Sequence, residues 1–140
     1  MLALRPADPV LPDPRLEGLR VLLVDDDPDT LELLAFVLGR TGAEVRCCRS
    51  AAEARAGVYA RPPHVVVTDL SMPFENGLCV LRDVIALRPF APHPVRAILL
   101  TAHADPGTRE TAEALGFDRV IAKPVDPVQV VEEIAGALGR

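Results

Sequence analysis

Carboxylates, hydroxyls and an amine stand in this chain directly after short apolar runs. Val21, Leu22, Leu23 and Val24 lead into Asp25, Asp26 and Asp27, and Val65, Val66 and Val67 lead into Thr68 and Asp69. Ala97, Ile98, Leu99 and Leu100 lead into Thr101, and Val120, Ile121 and Ala122 lead into Lys123 and Pro124. Clustered acidic oxygens hold a hard divalent cation. A carboxylate can act as a nucleophile toward phosphorus, and an ammonium and a hydroxyl can bind the oxygens of a phosphoryl group. The set therefore suits a divalent metal, a phosphoryl group and a counter-charge.

For these residues to meet, the four runs must be parallel strands. Each is short, aliphatic or β-branched and nearly free of charge, as expected of strands buried on both faces. In open parallel sheets ligands bind beyond the carboxyl ends of the strands. Strands are expected at 19–24, 44–48, 65–69, 96–100 and 119–122, and helices at 28–40, 51 to just before Pro62, 78–87, 106–115 and 127–138. Asp27, Ser50, Asp105 and Asp126 have the residue types of N-caps. Pro28, Pro106 and Pro127 suit the first helical position, and Gly42 and Gly116 suit helix ends. Ser50 with Glu53 reads as a capping box. The outcome is an α/β fold, a (βα)5 doubly wound five-stranded parallel sheet with helices on both faces.

Composition narrows the rest. The chain has 140 residues, a net charge of −5 and no basic run, which argues against direct nucleic-acid binding. Only 4% of residues are aromatic, so the core must be aliphatic. No apolar stretch reaches membrane-spanning length and no secretory pattern opens the chain, so a soluble, cytoplasmic protein is expected. Pro6, Pro9, Pro12 and Pro14 break up the first residues, so 1–18 read as a proline-rich tail or linker and 19–140 as the domain. Cys47, Cys48 and Cys79 lack metal spacing and are odd in number. They read as small buried hydrophobes, with Cys47 and Cys48 pointing to opposite faces of a strand.

Four motifs follow in order, each after an expected strand: Asp25-Asp26; Asp69-Leu70-Ser71-Met72-Pro73 with Gly77; Leu100-Thr101-Ala102; and Ile121-Ala122-Lys123-Pro124. Singly, each has a plain explanation as a cap, a turn or a solvated surface residue. Together they make the chain, from about 19 to 139, resemble a response-regulator receiver domain of two-component signalling. That resemblance implies a flavodoxin-like fold with strand order 2-1-3-4-5. It implies Asp69 as the phosphoacceptor, with Mg²⁺ held by the Asp26 and Asp69 side chains, the Ser71 backbone carbonyl, and Asp25 directly or through water. Lys123 would pair with one phosphoryl oxygen, Thr101 would hydrogen-bond another, and the Lys123–Pro124 peptide would be cis. The implied protein is a phosphoacceptor with self-catalysed phosphorylation and dephosphorylation rather than a turnover enzyme. Its donor would be a histidine kinase or a histidine phosphotransfer protein, and it would signal by changing partner binding, as a stand-alone receiver or as part of a hybrid kinase.

One departure bears on signalling. The family commonly places Tyr or Phe three residues before the lysine, where the ring swings inward as the threonine moves. Here the position is Val120, and Phe117 is the nearest substitute. The response is therefore expected in the loop 102–106 and the following helix. His103 flanks the phosphoryl site, either tuning phosphoryl lifetime or standing as a plain loop histidine. His64 and His93 have no assigned role. Two rival readings stand beside this one. A haloacid-dehalogenase-type phosphatase would use Asp25 and Asp27, but Asp29 occupies the place of its threonine and no cap domain is present. A degenerate receiver acting only as an interaction module conflicts with the intact acidic, hydroxyl and amine set. A dinucleotide-binding domain lacks its Gly-x-Gly-x-x-Gly.

Overall fold

The computed structural model describes residues 12–70 and 77–140. Among these residues five strands and five helices alternate: β1 (Arg20–Val24), α1 (Pro28–Arg40), β2 (Glu44–Cys48), α2 (Ala51–Ala60), β3 (Val65–Asp69), α3 (Gly77–Leu87), β4 (Arg96–Thr101), α4 (Pro106–Leu115), β5 (Arg119–Ala122) and α5 (Pro127–Ala137). A single 3₁₀ turn, Arg88–Phe90, follows α3. The strands form one parallel sheet in the order β2-β1-β3-β4-β5, the flavodoxin-like arrangement. Register pairs Val24 with Thr68, Asp69 with Leu100, and Thr101 with Ala122, which brings the reactive strand ends to one edge.

Alternation along the strands divides the core into two layers. Val21 and Leu23 face α1 and α5 with Val65, Val67, Ile98, Leu100 and Ile121. Leu22 and Val24 face α2, α3 and α4 with Val66, Ala97, Leu99 and Val120. Among the described residues Phe117 is the only aromatic ring in the core.

The helices begin where their caps predict. The side chains of Asp27, Ser50, Asp105 and Asp126 accept backbone N–H bonds from Asp29, Glu53, Thr108 and Val128 respectively. Glu53 reaches back to the Arg49 amide rather than to that of Ser50. The small shifts lie at element ends: β4 extends through Thr101, α3 begins at Gly77, and α5 ends at Ala137 with Leu138 as its cap. Gly77 is required where it stands, because a Cβ there would collide with the Asp69 carbonyl oxygen. Gly116 closes α4 in the left-handed region, φ +119°, its N–H donating to Ala112 and Glu113.

Three features depart from or add to the expectations. The stretch read as tail through Gly18 is anchored from Asp13 onward. The Asp13 amide donates to the Thr41 carbonyl, and Leu16 is fully buried between α1 and α5. Arg15 bonds both Asp13 and Glu132 of α5, and Arg140 donates to the Arg15 carbonyl. Cys48 is buried as expected, but Cys47 is exposed, because β2 is an edge strand with one open side. At the sheet end opposite the acids, the His64 and His93 rings stack with centroids 4.1 Å apart. The Arg20 amide donates to His64 Nδ1 at 3.0 Å, and the Arg20 guanidinium lies 3.2 Å from His93 Nε2.

Candidate phosphoryl and metal site at the strand ends

Asp25 follows β1 and is almost completely buried, at 1% exposure. Burying a carboxylate is tolerable only if both oxygens are satisfied. Oδ1 accepts the Asp27 amide at 2.9 Å, and Oδ2 accepts from Lys123 Nζ at 2.8 Å. Lys123 follows β5, and its ammonium also lies 3.5 Å from Asp69 Oδ2 at the end of β3. The Lys123–Pro124 peptide is cis. Burial works against the charged ammonium, yet the hydrogen bond to Asp25 and the attraction of Asp25 and Asp69 prevail, holding Lys123 above the usual lysine pKa.

Carboxylate oxygens of Asp25, Asp26 and Asp69 lie within 4.8 Å of one another. Three hard oxygen donors from three carboxylates match the preference of Mg²⁺, which keeps several waters and takes few protein ligands. Crowded negative charges also favour the cation that relieves their repulsion. At rest the Lys123 ammonium supplies part of that relief.

Thr101 is buried at the end of β4, with its hydroxyl oxygen accepting the His103 amide at 3.0 Å and its carbonyl accepting the Lys123 amide at 2.8 Å. Thr101 and Lys123 are thus neighbours on adjacent strand ends. Asp27 faces away into the cap of α1. The Thr30 hydroxyl and Asp29 amide bond it and hold its pKa below the usual carboxylate range. That geometry removes Asp27 from the Asp-x-Asp role a dehalogenase-type phosphatase would need. Of the expected site, Asp25, Asp26, Asp69 and Lys123 come together, Thr101 stands at the neighbouring strand end with its carbonyl on the Lys123 amide, and Ser71 lies outside the described residues. His103 is exposed and contributes its backbone amide.

One residue near the site was not anticipated. Arg109 of α4 donates from Nε to the Ala104 carbonyl and from its NH1 group to the Val120 carbonyl, both at 3.1 Å. Its only sequence signal is a basic residue in the first turns of the helix after Thr101. Val120 is buried, and Phe117 is packed in the second core layer with its amide bonded to the Ala112 carbonyl.

Against known proteins, the profile of the response regulator receiver domain matches residues 21–135. The chain belongs to the response regulator receiver family. The receiver is 37% identical over 116 residues to a 14.6 kDa protein from the sodA1 3′ region of Leptolyngbya boryana, covering 83% of this chain and 87% of that one. It is 32% identical over 123 residues to the transcriptional regulatory protein GltR of Pseudomonas aeruginosa, covering 88% of this chain but only 50% of GltR. Among solved structures, a CheY-like response regulator receiver domain protein of Methanospirillum hungatei superposes with a TM-score of 0.76 at 28% identity, over 89% of this chain and 94% of that one. Receivers of this family act in two-component signalling as phosphoacceptors and bind Mg²⁺ at an acidic pocket, and this chain has a cluster of Asp25, Asp26 and Asp69 at its strand ends. No helix among the described residues is long and apolar enough to cross a membrane.

Proposed function

We propose that this receiver accepts a phosphoryl group on Asp69 from a phosphohistidine donor, a histidine kinase or a histidine phosphotransfer protein. An Asp69 carboxylate oxygen attacks phosphorus, the nitrogen–phosphorus bond of the donor breaks, and the imidazole leaves with the bond's electron pair. The Lys123 ammonium binds one phosphoryl oxygen and the Thr101 hydroxyl donates to another. Asp25, Asp26, Asp69 and the Ser71 backbone carbonyl would hold Mg²⁺, which neutralises charge on the transferring group. Hydrolysis of the acyl phosphate resets the site, so the protein titrates its own state rather than turning over a substrate. Output runs through altered binding of a protein partner, in the cytoplasm.

The observation that carries this reading is the ammonium of Lys123 held between Asp25 and Asp69, at 2.8 and 3.5 Å, on the edge where β1, β3 and β5 end. The test is intact-mass analysis after acetyl phosphate and Mg²⁺. Wild type gains one phosphoryl mass and Asp69→Asn gains none. Equal labelling of the variant would move the acceptor elsewhere.

A further inference from the structure

The receiver's response to phosphorylation must leave the strand ends, and the geometry points to Arg109 as the residue that carries it. We propose that Arg109 is a positioning residue, a brace that couples the Thr101 loop to β5 and thereby sets the position of α4. The inference rests on Asp69 being the phosphoacceptor.

The brace joins two carbonyls that flank the reactive residues. Ala104 lies three residues after Thr101, and Val120 lies three residues before Lys123. Between Thr101 and Ala104 the chain is tied once more, through the His103 amide on the Thr101 hydroxyl oxygen. A continuous set of contacts therefore runs from the Thr101 hydroxyl, through His103 and the Ala104 carbonyl, to the Arg109 guanidinium and on to the Val120 carbonyl. The guanidinium is planar and presents fixed donors, so it cannot follow one carbonyl without turning relative to the other. When the Thr101 hydroxyl turns to a phosphoryl oxygen on Asp69, its hold on the His103 amide changes and the Ala104 carbonyl shifts against Nε. Arg109 then leaves or redraws one of its two bonds, and the start of α4 moves with it.

The neighbouring side chains leave this task to Arg109. Val120 is buried and short, and its β-branched side chain is stiff at χ1. Phe117 is 3% exposed and is fixed behind the Gly116 turn at the far end of α4. The carbonyls that Arg109 holds belong to a loop and to the strand at the sheet edge, where main-chain groups have fewer fixed partners.

The experiment is hydrogen exchange by mass spectrometry on the full chain, with and without Mg²⁺ and beryllofluoride, for wild type, Arg109→Ala and Arg109→Lys. Thermal unfolding and phosphoryl mass gain are measured in parallel. In wild type, beryllofluoride should change exchange in 102–115. Arg109→Ala should still take the phosphoryl mass, exchange roughly tenfold faster in 102–106 at rest after losing two hydrogen bonds, and lose the beryllofluoride-dependent change in 106–115. Arg109→Lys has a single ammonium in place of the fork and should resemble the alanine variant in 106–115. A residue that only stabilises the fold would lower the unfolding temperature and leave the beryllofluoride difference intact. That result, or an Arg109→Ala response equal to wild type, overturns the coupling role. A wild type that takes no phosphoryl mass and shows no beryllofluoride response overturns the phosphoacceptor reading itself, and the coupling role falls with it.

Discussion

Replacing Lys123 by Met should tighten Mg²⁺ binding while impairing phosphorylation. At rest the Lys123 ammonium occupies the space in which a cation relieves the acids, 2.8 Å from Asp25 Oδ2 and 3.5 Å from Asp69 Oδ2. An ion about 2.1 Å from the same Asp25 oxygen that the ammonium contacts at 2.8 Å could stand no more than about 5 Å from the ammonium. Charges of +1 and +2 at that separation repel by about 1.7 kcal/mol even at the dielectric of water, and by more in a half-buried pocket. Removing the ammonium should therefore raise Mg²⁺ affinity by about tenfold or more, since 1.4 kcal/mol is a factor of ten. The same change deprives buried Asp25 of its partner, so the variant should be less stable without Mg²⁺ and regain stability with it. The chain has no tryptophan, which makes isothermal calorimetry the suitable titration. Lys123→Gln, which keeps a donor toward Asp25, should show the same direction with a smaller loss of stability. A folded Lys123→Met that binds Mg²⁺ as wild type does, or more weakly, would refute the placement of the ammonium as a competitor of the ion.

Two further outcomes test parts of the fold away from the acids. Leu16→Ala empties a fully buried site between α1 and α5 and should cost roughly 2–5 kcal/mol in urea unfolding; a cost near zero would mean the segment before Gly18 contributes nothing to the core. Burial, with the neighbouring His93, Arg20, Arg140 and Arg61, holds the His64 imidazole below the ordinary histidine pKa. The unfolded ring binds its proton near pH 6.5, so this contribution is present above about 6.5 and is lost as pH falls through the lower folded value. Urea unfolding at pH 7.5 and 5.5 should show a drop that shrinks in His64→Gln, and an equal drop in both proteins would exclude the ring as its source.

What could be read from the residues follows from which of them carry a local signal. Asp27, Asp105 and Asp126 announce their helices because an N-cap is a one-residue device, and each is followed by the proline that suits a first turn. The reactive strand ends were legible for a similar reason: a parallel strand buried on both faces is apolar almost to its end, so the polar residues that close the run mark its carboxyl end. Strand order was different. Nothing local states that β1 lies between β2 and β3, and the order came with the family resemblance. Leu16 escaped because one leucine among prolines has no period, and only the packing of α1 against α5 makes its socket. Arg109 escaped because its partners are backbone carbonyls, which every residue possesses, so no side-chain pairing foreshadows the bond. Cys47 was misjudged because an edge strand offers one open side, and its edge position depends on the same unseen order.

The resting site is held together by the contacts that phosphorylation must exchange. Lys123 neutralises Asp25 and Asp69 at rest, and in the proposed reaction a phosphoryl oxygen would offer it a new partner. The Thr101 hydroxyl oxygen accepts the His103 amide at rest, and turning its O–H to the same group in the proposed reaction would shift that bond. Neither residue is idle before the reaction, so each new bond to a phosphoryl group on Asp69 would alter a resting contact, and the two changes fall in different places. Release of Asp25 stays within the acidic cluster and tunes cation affinity. The change at the His103 amide falls on the loop whose next carbonyl Arg109 holds. A receiver with a large ring at position 120 could read the Thr101 movement through the space behind it. With Val120 there, and Phe117 locked in the core, the backbone path through Ala104 and Arg109 is the one the side chains leave open. Signal and chemistry can then be separated by mutation: changes at Asp69 or Lys123 should alter whether the phosphoryl group is accepted, whereas changes at Arg109 should leave acceptance intact while loosening the 102–106 loop and uncoupling α4.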